Sequence, residues 1–336
     1  MATIFKKISS NDTTSTRTLL HESVPVTGAI VSGSTYDGNN IKNYSHGMFQ
    51  SVYDYPYLSS SANHLFDLSC GYKTGSAAYE ENSKKQNIYG QMAQVLVGND
   101  ADGNIREFDR DGDLSGGDKI SQAYFLNVSR LLAKDEIKKE TLAFTVGDGA
   151  TYGAPFASEV VVSDLGASTN YRTNSPAGDY GVLYTGSNPP TVGTGVGLIY
   201  YQAGIIVLTS SLFDSSVMNA AGETAEAVLT GSSIEDNANA IRHRFDNLSF
   251  NNTIELNSTI YFCNANHNEF NYSSNPTYLS ESKIRVKSQA IDSPSAYITS
   301  IGLYAADNEL LATAKLSEPL KKDPSNSLTL RVRLDY

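Results

Sequence analysis

The last third of the chain alternates apolar and polar residues. Leu328, Leu330, Val332 and Leu334 are separated by Thr329, Arg331, Arg333 and Asp335, and Ile254, Leu256, Ser258, Ile260 and Phe262 alternate with polar residues in the same way. A period of two is the repeat of a strand in a sheet with one wet face, and no helix accommodates it. It predicts strands over 253–264, 283–286, 297–304, 310–316 and 328–335. Within the fourth of these windows and just beyond it, Pro319 is expected to stop the strand. In the third, the face of Ile301 and Leu303 is expected to be buried, because Ser300, Gly302 and Tyr304 occupy the other.

The rest of the chain is less regular. Residues 1–20 are polar and weakly patterned and read as a flexible N-terminal arm. Turn signals stand at Ser32-Gly33-Ser34 and Asp37-Gly38-Asn39-Asn40. Met48, Phe49, Val52 and Tyr53 suit one face of a short helix ended by Pro56, with an aromatic ligand platform as the less favoured reading of the same Tyr-rich stretch. A helix is expected over 84–97, from Ile88, Met92, Val95 and Leu96. A second is expected over 120–135, from Ile120, Tyr124, Val128, Leu131 and Leu132. Strands are expected at 142–146, 159–162 and 181–184, and a hairpin at 197–208 around Ala203-Gly204. Ser232 with Glu235 has the spacing of a capping box before a helix at 234–246. The predicted organisation is therefore an arm (1–20), a mixed α/β N-terminal domain (21–150), a β-rich middle region (151–250) and a C-terminal β-domain, sandwich-like or a sheet (251–336). The fold class expected is α+β, predominantly antiparallel β with a few short helices.

Totals exclude some functions. The 336 residues carry a net charge of -11, and such an acidic chain repels a phosphate backbone, so no nucleic-acid partner is expected. No stretch approaches the run of about 18 apolar residues needed to cross a membrane, and the N-terminus lacks the apolar core of a signal peptide. No membrane partner is expected, and folding in a cytoplasm is. Cys70 and Cys263 both lie in apolar or aromatic surroundings, which reads as buried free thiols.

Few residues carry chemistry. Oxygen-bearing side chains at alternate positions mark Asn99-Asp-Ala-Asp-Gly-Asn104 and Asp109-Arg-Asp-Gly-Asp-Leu-Ser-Gly-Gly-Asp118. A hard cation such as calcium takes six to eight oxygens, so Asp109, Asp111, Asp113 and Asp118 are candidate ligands. With Asp111 in the first position of a calcium loop, the twelfth is Gln122, where a bidentate Glu belongs. The alternative is an acidic surface loop whose Asp and Gly residues satisfy turns locally. The five histidines, His21, His46, His64, His243 and His267, form no ligand pair, and Gly193-Thr-Gly195-Val-Gly197 lacks the spacing of a nucleotide loop. No nucleophile elbow is present, no catalytic residue stands out, and no enzymatic activity or organic cofactor is expected.

Three stretches carry a family resemblance. Tyr297-Ile-Thr-Ser-Ile-Gly-Leu-Tyr304, followed by Asn308-Glu-Leu-Leu-Ala-Thr-Ala-Lys315 and a Pro before a Lys, resembles the C-terminal domain of structural proteins from contractile-tailed bacteriophages of marine cyanobacteria. Asn268-Glu-Phe-Asn-Tyr-Ser-Ser-Asn-Pro-Thr277 is similar to the element preceding that domain, and Tyr124–Lys138 is also similar. About the last 85 residues are covered well, 46–146 moderately, and 150–245 not at all. The resemblance implies a non-enzymatic virion subunit of tail, baseplate or neck, whose partners are other virion proteins and copies of itself. Competing readings are a receptor- or glycan-binding adhesin at the tail tip and a capsid decoration protein.

Overall fold

The computed structural model describes residues 5–27, 39–73, 83–186, 195–273, 279–280, 283–284, 291 and 294–336. Its elements in chain order are β1 (Thr13–Thr27), β2 (Ile41–Asn43), β3 (Gln50–Tyr53), β4 (His64–Tyr72), α1 (Ser83–Leu96), β5 (Phe108–Asp109), β6 (Lys119–Ile120), β7 (Gln122–Val128), α2 (Arg130–Ala133), β8 (Glu136–Ile137), β9 (Ala143–Gly147) and β10 (Glu159–Ser163). There follow β11 (Tyr180–Thr185), β12 (Gly197–Tyr200), β13 (Ile205–Thr209), α3 (Ala225–Gly231), α4 (Ile234–His243), β14 (Phe245–Ala265), β15 (Leu279–Ser280), β16 (Lys283–Ile284), β17 (Ala296–Tyr304), β18 (Leu310–Lys322) and β19 (Leu328–Asp335). Every strand pair whose register is described is antiparallel, and the helices are few and short. The fold class is thus α+β and mostly antiparallel β, as the alternation predicts.

Two compact units form, with boundaries close to the expected divisions at 20 and 250 and none at 150. One comprises 19–254, the other 1–18 with 255–336. The larger unit is built on a sheet ordered β14-β9-β10-β11-β12-β13-β7-β4-β3-β2. Its centre is apolar on both faces: Ala123 to Leu126 of β7 and Gly197 to Tyr200 of β12 are buried without a break. That explains the largest misreading. The run around Tyr124 was expected to be a helix over 120–135, yet it is β7, held between β4 and β13. A strand covered on both sides loses its alternation, and a short apolar run then looks the same in either conformation. Only the single turn α2 is helical there, and Leu131, expected on the core face, is 76% exposed.

The helix expected around Met48 to Tyr53 is likewise β3, paired with β2 and β4. α1 forms where expected and packs on β4, where Gly71 is required. A Cβ there would lie 2.5 Å from the Lys85 carbonyl oxygen. Ile88 and Leu96 face inward as predicted, whereas Val95 is exposed and Tyr89 and Ala93 take its place. The Lys85 ammonium is buried and donates to the carbonyls of Leu229 and Ser232, closing the C-terminal end of α3. The capping box sits one residue beyond its expected place. The Ser233 hydroxyl accepts from Asp236 N, the Asp236 carboxylate accepts from Ser233 N, and the helix ends at His243, so that Phe245 opens a strand instead. The hairpin expected at 197–208 forms from β12 and β13, with Tyr200 opposite Ile205 and Gly204 at φ +69°. The turn signals at 32–38 lie outside the described residues.

In the smaller unit, β19 pairs with the second half of β14, Ser258 opposite Asp335 through Ala265 opposite Leu328. β17 and β18 form a hairpin. In β19 Val332 is buried and Arg331 and Arg333 are exposed, as predicted; in β17 Leu303 is buried and Ser300 exposed as predicted, but Ile301 is only half-buried, as is Ile298 on the other parity. Pro319 does not stop β18. The strand runs on to Lys322 because the register jumps from Ser300–Lys315 to Ile298–Leu320, and Pro319 sits in the resulting bulge, where no ladder N–H is needed. Nor is all of 1–20 an arm. From Thr13 the chain is β1, alongside β14, and Ser15 Oγ lies 3.0 Å from Thr259 Oγ1. Its polar Thr/Ser run shows no apolar period because most of its described side chains are exposed, and main-chain pairing makes the strand.

Candidate functional site

β5 and β6 clamp the two ends of the acidic loop. Phe108 pairs with Ile120 and Asp109 with Lys119, and both apolar residues are fully buried. Across the base of the loop, Arg110 N donates to Asp118 O at 3.0 Å. Further out, the Tyr180 hydroxyl donates to Gly112 O at 2.8 Å, and Arg110 Nε donates to Gly195 O at 2.8 Å. The loop is therefore fastened to the sheet through β11 and the approach to β12.

Three of the four predicted ligands come together. One oxygen from each of Asp109, Asp111 and Asp113 lies within 4.8 Å of the other two. Asp118, the fourth, is exposed and stands outside this group among the described residues. Asp109 is completely buried. Its Oδ2 accepts from Lys119 Nζ at 2.6 Å, while its Oδ1 has no donor. Burial pushes the Asp109 carboxyl up, the Lys119 hydrogen bond opposes that, and the neighbouring Asp111 carboxylate adds to it. At Gly117, φ is +64°, and a Cβ would meet Asp111 Oδ2 at 3.3 Å and Asp109 Oδ1 at 3.7 Å. The two oxygens converge on the space that glycine leaves.

The register within the loop differs from the one expected. With Asp109, not Asp111, in the first position, Asp113 takes the fifth and Leu114 the sixth. Leu114 has φ +62°, the left-handed turn that calcium loops place at the sixth position, usually on glycine. The companion segment is different. Asp100 Oδ1 accepts from Asp102 N and Asn104 N, and its Oδ2 from Asn104 Nδ2, so that carboxylate is consumed by its own turn.

The remaining candidates stay apart. His64 Nε2 is 2.8 Å from Asp67 Oδ1, which raises the His64 pKa, and His243 Nε2 is 2.9 Å from Tyr152 O. Among the described residues no histidine joins a ligand cluster. Both thiols are free. Cys70 is buried, which pushes it up to about 12, while Cys263 is half-buried and not fully enclosed as expected. The Tyr-rich stretch does form an aromatic group, with Tyr44, His46 and Phe49 rings about 5 Å apart (5.1, 4.9 and 5.0 Å) and Lys42 Nζ 4.7 Å above Tyr44.

A different kind of surface marks the smaller unit. More than half of the exposed large apolar side chains among the described residues belong to it, including Tyr297, Tyr304, Leu310, Leu311 and Tyr336. All members of the main apolar core, from Val26 to Phe250, belong to the larger one. The motif residues of the smaller unit do structural work. Glu269 pairs with Lys6, 2.5 Å apart, and the buried Lys322 donates to Asn271 Oδ1 at 2.7 Å and to Asp323 O at 2.9 Å. Periodicity alone does not reveal the links from Lys6 to Glu269 and from Lys322 to Asn271, which join residues far apart in the chain.

No family model, curated protein or solved structure matches this chain. Among the described residues no helix is long and apolar enough to cross a membrane.

Proposed function

We propose that this chain is a non-enzymatic structural subunit of a tailed-bacteriophage virion, in the tail, baseplate or neck, working through interfaces with copies of itself and with other virion proteins. The observation that supports this most is the smaller unit. Its β17–β18 hairpin keeps Tyr304, Leu310 and Leu311 exposed, and few of its described apolar side chains are buried. Tyr304 and Leu310 are cross-strand partners, and exposed apolar side chains brought side by side mark interaction sites. Burial of apolar area at roughly 25 cal/mol per Å² gives such a surface a reason to assemble. The motifs shared in appearance with cyanobacterial phage proteins fall largely in the same unit.

The test is location. Cryo-EM of intact particles, with mass spectrometry of the purified virion, should place this chain in a ring of fixed copy number with the β17–β18 hairpin against a neighbour. Leu310→Asp with Leu311→Asp should leave the larger unit folded and remove the chain from particles. Absence from particles, or normal incorporation of the double variant, would overturn the reading. Glycan binding by the isolated chain would favour the adhesin instead.

A further inference from the structure

The Asp109 carboxylate poses a physical problem. It is fully buried, it has one cationic partner, and one of its oxygens receives no hydrogen bond. An unsatisfied buried acceptor costs about 1–3 kcal/mol, and more when it is charged. The missing partner has to be positive, because what faces Asp109 Oδ1 is another carboxylate, that of Asp111, across the space above Gly117. Water would satisfy the acceptor but leave the like charges unbalanced.

Charge counting identifies the partner. Three carboxylates and one ammonium, Lys119, leave two negative charges in the cluster. The oxygens lie within 4.8 Å of one another, which suits ligands placed about 2.3–2.6 Å from a common calcium ion. Arg172, whose stem lies near Gly112, forms no salt bridge with the three aspartates. We propose that Asp109, Asp111 and Asp113 bind one calcium ion, with loop carbonyls and water completing its oxygen shell. Calcium suits the site better than magnesium, because its coordination is larger and more flexible and the loop supplies no rigid octahedron. The ion fastens the loop between β5 and β6 to the sheet, since Gly112 at the loop's centre is bonded to Tyr180 of β11.

The same tyrosine supplies a readout. Terbium occupies calcium sites and emits when a nearby tyrosine is excited, and Tyr180 is bonded to the loop itself. The full-length chain should show saturable terbium emission at one ion per chain, displaced by calcium and poorly by magnesium. Calcium should also raise Tm. Asp111→Asn with Asp113→Asn should weaken binding by at least about tenfold, since ligand charge sets affinity in such loops. It should also abolish the calcium-dependent rise while keeping the Tm measured in chelator. Both residues are less buried than Asp109, so folding should survive, and if the double variant fails to fold, Asp113→Asn alone gives the same reading. Asp100→Asn, in the self-satisfied turn, should bind normally. No emission and no Tm change in millimolar calcium would overturn the proposal and leave Asp109 and Asp111 as a carboxyl pair holding a proton. Binding that survives the Asp111/Asp113 substitutions would overturn it too, because the ion then sits elsewhere.

Discussion

Asp164 shows how one buried side chain organises its surroundings. Its carboxylate accepts from Glu140 N at 2.7 Å, Leu142 N at 3.0 Å and the Tyr201 hydroxyl at 3.0 Å, and so ties the entry to β9 to the end of β10. Burial raises its pKa, and those three donors only partly offset the rise. The folded state therefore holds the proton to higher pH than the unfolded state does. Stability from this group is greatest on the acid side and falls as pH rises from about 4 through the raised folded value. An ordinary ion-paired Asp has the opposite sign. Asp164→Asn removes the titration, so the stability advantage of the native chain over the variant should shrink across that interval. Urea unfolding at a series of pH values checks this, and an advantage that grows with pH would contradict it. Nothing in the local sequence marks Asp164, because its partners come from two distant segments, at 140–142 and at Tyr201.

At the scale of elements, the alternating strands were legible and the enclosed ones were not. β19 has one wet face, so its polar and apolar residues sort by parity, and the structure keeps that sorting, whereas in β17 the buried parity changes at the register shift, from Ala296 on one side of it to Leu303 on the other. β7 has two dry faces and was read as helix. The facing of β17 has a consequence. Leu303 is 8% exposed and Ser300 is exposed. Leu303→Ala should destabilise the smaller unit by about 2 kcal/mol, the low end for a buried leucine because this sheet has little behind it. Ser300→Ala should change stability by less than about 0.5 kcal/mol. Thermal unfolding of the two variants side by side decides the matter, and equal effects would mean that the face is assigned wrongly.

The whole molecule divides its labour unevenly. The larger unit owns the continuous apolar core, with the stacked rings of Phe66 and Phe245 at 5.2 Å and of Tyr180 and Tyr200 at 5.2 Å inside it. A unit with its own core is able to fold alone. Residues 19–254 expressed by themselves should give a cooperative unfolding transition and dispersed amide resonances. The segment 255–336 alone should not, since its apolar side chains find few internal partners. An insoluble 19–254 would show that the two units depend on each other for folding. Both boundaries fall near divisions legible in the sequence, at 20 and 250, but the grouping of 1–18 with 255–336 joins segments far apart in the chain, which no local pattern records.

What the sequence determined by itself was the sheet character, the facing of the strands with one wet side and the clustering of aspartates in one loop. These are properties of neighbours two residues apart, and a period of two is carried by the chain alone. Tertiary structure decided the rest: which apolar runs became central strands, which three of the four aspartates converge, and which charged groups are buried. Asp109 is the clearest instance. Its residue type made it a candidate ligand, but only the pairing of β5 with β6 buried its carboxylate, gave one oxygen Lys119, and left the other facing Asp111. Burial and convergence depend on contacts between distant segments, which no local pattern records.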